Sequence, residues 1–211
     1  MLGHVGPQFF AIQTIKELPM KLRIAIRCLL FTVIVSAMAL AANAQAKSDA
    51  KPTFASVLDH QFTGTEKTVV PAADAMPADK YDFAPTQGDF KGVRTFGAEI
   101  KHMAVANYFY ASTILGEKPP VDLGGGPDGP DNIKSKAEIM KFLNDSFVYA
   151  HKAINSITEA NVLEPIKAPR GPNTTTRLAL AISLCSHPFD HYGQMVEYLR
   201  DNNIVPPASR K

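Results

Sequence analysis

From Thr53 to Asn202 the apolar residues return every three or four positions in four separate stretches, the period of one face of an α-helix. The first stretch, about Thr53 to Asp74, places Phe54, Val57, Leu58, Gln61, Phe62, Thr65 and Val69 on one stripe, with Pro71 expected to kink or stop it. The second, about Thr95 to Leu115, is expected to turn Ala98, His102, Val105, Ala106, Phe109 and Thr113 inward. The third, about Ser135 to Thr158, repeats at Ile139, Phe142, Leu143, Phe147, Ala150, Ile154 and Ile157. The fourth runs from Leu178 to about Asn202, with Thr174, Thr175 or Thr176 as its cap. Strand patterns are almost absent. The chain is therefore expected to be all-α, a four-helix bundle whose connections are too long for simple hairpins and must include crossovers.

Those connections carry the turn-forming residues. Met76–Pro85 reads as an extended segment with two prolines, and Glu164–Asn173 as a proline-broken loop. Glu117–Asn132 contains Gly124-Gly125-Gly126-Pro127-Asp128-Gly129-Pro130. It has neither the lysine nor the preceding strand of a phosphate-binding loop, so it reads as a surface loop.

The N-terminus has the order of a secretory signal. Met20 opens a basic segment through Arg27, Cys28–Ala42 is apolar and uncharged, and Ala44-Gln45-Ala46 offers a small-x-small cleavage site. The apolar run is short for a membrane span, which needs about 20 residues. Residues 1–46 are thus expected to be an extension plus signal peptide, with Met20 the better start, and 47–211 the folded domain. The expected location is periplasmic or secreted, without stable membrane insertion after cleavage. Removing Lys16, Lys21, Arg23, Arg27 and Glu17 with that segment leaves 18 basic against 19 acidic side chains. Near-neutral, mixed charge gives no basic patch for nucleic acid. Only Cys185 remains, so no internal disulfide is expected.

His187 and His191 are four residues apart, which on a helix stacks both imidazoles on one face. Two neutral imidazoles so placed can bite one divalent metal, and a third donor is needed for a firm site. His102, on a helix with otherwise apolar inward positions, is the candidate. At 100° per residue Leu180, His187, His191, Gln194 and Tyr198 share a stripe, while Cys185 falls far from it and is read as a packed small residue rather than a ligand. Pro188 should kink or restart the helix between the two ligands. His151 is read as a surface or boundary residue, and His60 as a candidate to line the pocket. Asp190, Gln194 and Tyr198 are candidates to orient ligands or touch substrate.

Several segments together resemble the DinB/YfiT-like family over about Phe54 to Pro207. They are Lys80-Tyr81-Asp82-Phe83-x-Pro85, then Thr95-Phe96-Gly97 leading to His102, then Asp190-His191-Tyr192-Gly193-Gln194, Tyr198-Leu199-Arg200 and Val205-Pro206-Pro207. The resemblance implies a bundle of unusual connectivity, often dimeric, so a homodimer is among the expectations. It also implies one divalent metal on a His of the second helix and a His-x-x-x-His of the last, positions matched by His102, His187 and His191. Better-understood members of the family are thiol-dependent transferases and an isomerase. This chain departs from them in its export signal and in Pro188.

Three imidazoles leave positions for water or substrate, as catalytic sites do. The expected function is metal-dependent hydrolysis or group transfer on a small-molecule substrate. The alternative is a non-catalytic metal- or ligand-binding module of the cell envelope. Zn, Ni, Fe and Cu all suit such donors. The loop Glu117–Asn132 and the connection Met76–Pro85 are expected to shape a mouth, with Tyr198, Gln194 and His60 lining it.

Overall fold

The computed structural model describes residues 51–86 and 92–210, together with 19–22, 24–26, 28–32, 36 and 38. It divides into two units, Met1–Lys51 and Pro52–Lys211. In the first, the described residues from Met20 to Met38 are helical. The expected cleavage site at Ala44–Ala46 lies outside the described residues. Among the described residues no helix is long and apolar enough to cross a membrane.

The second unit is built from four helices: α1 Phe54–Ala75, α2 Phe96–Leu115, α3 Lys136–Asn155 and α4 Arg177–Asp201. Each start is capped by a hydroxyl. Thr53 accepts from the backbone of Ser56, Thr95 from Ala98, Ser135 from Glu138 and Thr176 from Ala179. At α3 the cap is reciprocal, since the Glu138 carboxylate accepts from Ser135 N at 2.9 Å. Each such cap is worth about 1 kcal/mol. α2 stops at Gly116, which takes the left-handed conformation (φ 69°) that a side chain would resist.

α1 packs on α3 and α4, and α2 likewise packs on α3 and α4. Helices consecutive in sequence, α1 with α2 and α3 with α4, therefore occupy diagonals of the bundle. That arrangement is why the first and last connections must cross over. The core they enclose centres on Phe62, Phe96, Tyr108, Phe147, Met103, Leu184 and Met195, all essentially inaccessible to water. Each such burial stabilises the fold by about 1.5–3 kcal/mol. Thr65 Oγ1 donates to the carbonyl of Cys185 at 3.3 Å, joining α1 to α4. Asn107 Nδ2 donates to Ser146 Oγ at 3.1 Å, joining α2 to α3.

Four local features differ from the sequence reading. α1 runs through Pro71 to Ala75. Its stripe begins at Phe62, leaving Phe54 and Val57 39% and 58% exposed. On α2 the buried face centres on Phe96, Glu99, Ile100, Met103, Asn107, Ala111 and Ile114; of the positions expected inward Ala106 is buried, while Ala98, His102, Val105, Phe109 and Thr113 are half-buried. α2 is apolar on nearly every side, so its period does not say which side is inward. Finally, part of the loop after α3 forms an antiparallel hairpin, β1 Pro165–Lys167 with β2 Thr174–Thr176, in the register Ile166 to Thr175. Three consecutive β-branched threonines suit that extended segment before Thr176 caps α4.

Candidate metal centre

The face of α2 that was expected to enter the core instead borders a cleft, and His102 stands on it. α4, packed beside α2, brings His187 and His191. One donor nitrogen from each of His102, His187 and His191 lies within 4.8 Å of the other two. Nε2 of His187 and Nε2 of His191 are 3.2 Å apart. A tetrahedral ion with bonds of about 2.0–2.1 Å would separate its ligand atoms by about 3.3 Å, so this pair already fits one. α4 continues unbroken through Pro188, so the i, i+4 stacking of the two rings is kept.

Neighbours set the tautomers. His102 Nδ1 is 2.8 Å from the carbonyl oxygen of Pro127. A carbonyl only accepts, so the proton sits on Nδ1 and Nε2 presents a lone pair. His191 Nδ1 lies 2.7 Å from Oε2 of Glu99, a carboxylate only 2% exposed. The ring N–H is not aligned well enough on Oε2 to count as a hydrogen bond, and that oxygen has no other donor. The contact is therefore electrostatic, and proximity to the anion favours a proton on Nδ1. Gln194 Nε2 stands on the same nitrogen at 3.4 Å. The second carboxylate oxygen of Glu99 is 4.0 Å from Arg94, which itself pairs with Asp128 at 2.5 Å.

Burial, aided by the neighbouring rings of His191 and His102, pushes the His187 pKa down to about 4. Burial also lowers that of His102, against the opposing pull of the Pro127 carbonyl. Both are thus neutral near pH 7, the state a metal ligand needs. His187 Nδ1 is buried without a partner. Three imidazoles with a buried carboxylate behind one of them are a donor set that fits a divalent first-row ion.

The cleft beside the triad has a volume of about 730 Å³. His102 and His187 reach it, while His191 is buried behind them. Its walls come from α2, from Leu123–Pro127 of the glycine-rich loop, and from Pro169 and Arg170 of the β1–β2 hairpin. The hairpin takes the part that the Met76–Pro85 connection was expected to play. That connection instead docks on the start of α2, where the carbonyls of Phe83 and Tyr81 accept from Phe96 N and Gly97 N, each at 2.8 Å.

The other residues singled out from sequence lie elsewhere. His60 and Asp190 are exposed and outside the cleft. Gln194 touches His191 but is not part of the cleft wall. Tyr198 is buried and donates its hydroxyl to the carbonyl of Arg94 at 3.0 Å, so it braces the entry to α2 rather than facing substrate. Cys185 is buried with its sulfur 3.9 Å from the carbonyl of Leu58, on the side of α1. His151 sits at the boundary, its Nδ1 2.6 Å from Asp59 and its Nε2 3.2 Å from Glu66. Glu99 was not among the candidates. Its signal was its position three residues before His102 on an otherwise apolar helix, a spacing that makes the two neighbours.

The sequence profile of the DinB superfamily matches residues 61–195. The fold is similar to the crystal structure of a DinB-like protein from Bacillus cereus, with a TM-score of 0.55 at 16% identity, covering 71% of this chain and 93% of that one. No functionally curated protein matches the chain.

Proposed function

The chain belongs to the DinB superfamily, and on that footing we propose that it holds one divalent metal ion on His102, His187 and His191 and uses it in hydrolysis or group transfer on a small molecule. One observation carries the reading: the three imidazoles converge beside an open cleft, and among the described residues no fourth His, Cys, Asp or Glu joins them. Structural zinc sites close the coordination sphere with four protein donors, whereas catalytic sites leave a position free.

A bound divalent ion would supply Lewis acidity toward an oxygen or sulfur of the substrate. This chain's own residues do the rest. Pro127 and Glu99 orient His102 and His191, and the apolar wall of Val105, Phe109 and Leu123 excludes water from the substrate's flank. The test is elemental analysis of the purified protein, followed by screening of the loaded form against thiol conjugates and simple esters. One metal per chain with turnover supports the proposal; a protein that takes up no divalent metal overturns it.

A second reading has one observation in its favour. Apart from the histidines themselves, the cleft wall carries no side chain suited to general base catalysis at neutral pH. A metal-loaded protein inert toward both substrate classes would favour a binding module of the cell envelope. In either case the order of the N-terminal segment supports an exported, periplasmic or secreted protein.

A further inference from the structure

The cleft carries permanent charge of one sign only. Of the side chains that form its wall, none is acidic, and its one permanent charge is the guanidinium of Arg170. Arg170 is carried out over the cleft by the turn of the β1–β2 hairpin, just before Gly171, whose positive φ of 75° allows the chain to reverse. Its guanidinium lies 5.2 Å from the centre of the Phe109 ring. Among the described residues it makes no ion pair and no side-chain hydrogen bond, although every other arginine described in full in the second unit makes at least one. Stacking on Phe109 holds the group in place while leaving its edge donors free, the arrangement in which arginine receives a carboxylate or phosphate.

Between Arg170 and the histidines the wall is apolar and aromatic. Phe109 and Tyr110 stand 6.0 Å apart, and Tyr110 meets His187 edge-on at 6.2 Å. A small polar molecule would leave this wall wet. A molecule with an apolar midsection would cover it.

Resting on the metal reading above, we propose that the cleft selects anionic substrates with an apolar body, a terminal carboxylate or phosphate pairing with Arg170 while the reacting group lies at the histidines. The hairpin is then a specificity element, and the glycine-rich loop opposite it is a wall kept low by residues without side chains.

Two matched probes test this: octanohydroxamic acid and the monohydroxamate of suberic acid. Both carry the same metal-seeking head and differ in ending as a methyl group or a carboxylate. Affinities are measured by calorimetry on the zinc-loaded protein and on the metal-free protein. Arg170 is exposed, so its replacement leaves the fold intact. Arg170→Gln is expected to weaken the carboxylate-ended probe about fivefold, the upper end for an exposed ion pair, and the methyl-ended probe less than about twofold. Arg170→Lys should recover most of the loss.

If Arg170→Gln weakens both probes alike, or neither, the anion proposal is overturned. Failure of the metal reading has a different signature, in which hydroxamate affinity is the same with and without zinc. The contrast made by Arg170→Gln, repeated with octanoate on the metal-free protein by NMR titration, then decides the anion proposal by itself. A loss of octanoate binding upholds it and unchanged binding overturns it.

Discussion

The carboxylate of Glu99 lies 2.7 Å from Nδ1 of His191, both groups almost wholly buried. The pair connects the core-facing side of α2 to the histidine of α4 that is deepest in the site. Glu99→Gln keeps the shape and removes the charge. It should lower metal affinity about 10- to 100-fold without unfolding the protein, the usual cost of losing such a supporting group. His102→Ala, His187→Ala and His191→Ala should each abolish stoichiometric metal. Competitive titration with a chromophoric chelator distinguishes the graded loss from the complete ones, and full metal retention by His102→Ala would remove that residue from the site.

The glycine-rich loop positions His102 through the Pro127 carbonyl. Gly124 has φ +75°, and a Cβ there would meet the backbone of Gly129 at 2.8 Å. Gly124→Ala should therefore cost about 1–3 kcal/mol of stability. It should also weaken metal binding, because the displaced loop no longer fixes the His102 tautomer. The same substitution at Gly125, where a Cβ meets nothing, serves as the control.

Acid should destabilise the metal-free protein in a defined window. The folded pKa of His187, pushed down to about 4, lies below its unfolded value of about 6.5. Between those values the unfolded chain binds more protons, so stability rises with pH and is lost as pH falls through the window. Thermal melts of the metal-free protein should drop steadily from pH 7 to pH 4.5. His187→Gln should flatten that dependence, and an unchanged slope in the variant would count against the assignment.

Burial pushes the Cys185 thiol up to about 11. Little thiolate exists at pH 8, and the sulfur is enclosed. Iodoacetamide should leave Cys185 of the native protein unmodified and label it on unfolding, as located by mass spectrometry. Rapid native labelling at Cys185 would show that the α1–α4 contact opens.

Export predicts a mature N-terminus near Ala46 or Lys47. Edman sequencing of protein from its native source should find it there. An intact Met1 or Met20 would contradict export.

The helices were readable because α3 repeats its apolar residues on one clean face, and Ile139, Phe142, Leu143, Phe147, Ala150, Ile154 and Ile157 are all buried. The histidine pair was readable because i, i+4 spacing survives any helix placement. α2 was not, since a helix apolar all round gives no phase. Its core side and cleft side were exchanged, and Glu99 was missed with them. The mouth was misassigned for another reason. A proline-broken stretch does not announce that its ends will pair, so the hairpin that carries Arg170 had no local signature beyond its threonines.

The diagonal placement of consecutive helices also orders events in time. His102 lies on α2, but its partners lie on α4, beyond the whole of α3 and the hairpin. A nascent chain, or one cut before Arg177, presents only one of the three ligand imidazoles, with no appreciable hold on a metal. Donors that meet only on folding make binding a consequence of the completed fold. Ion capture by this chain would therefore act as a finishing step, one that unfinished copies cannot take and that draws no metal until the last helix has closed the bundle.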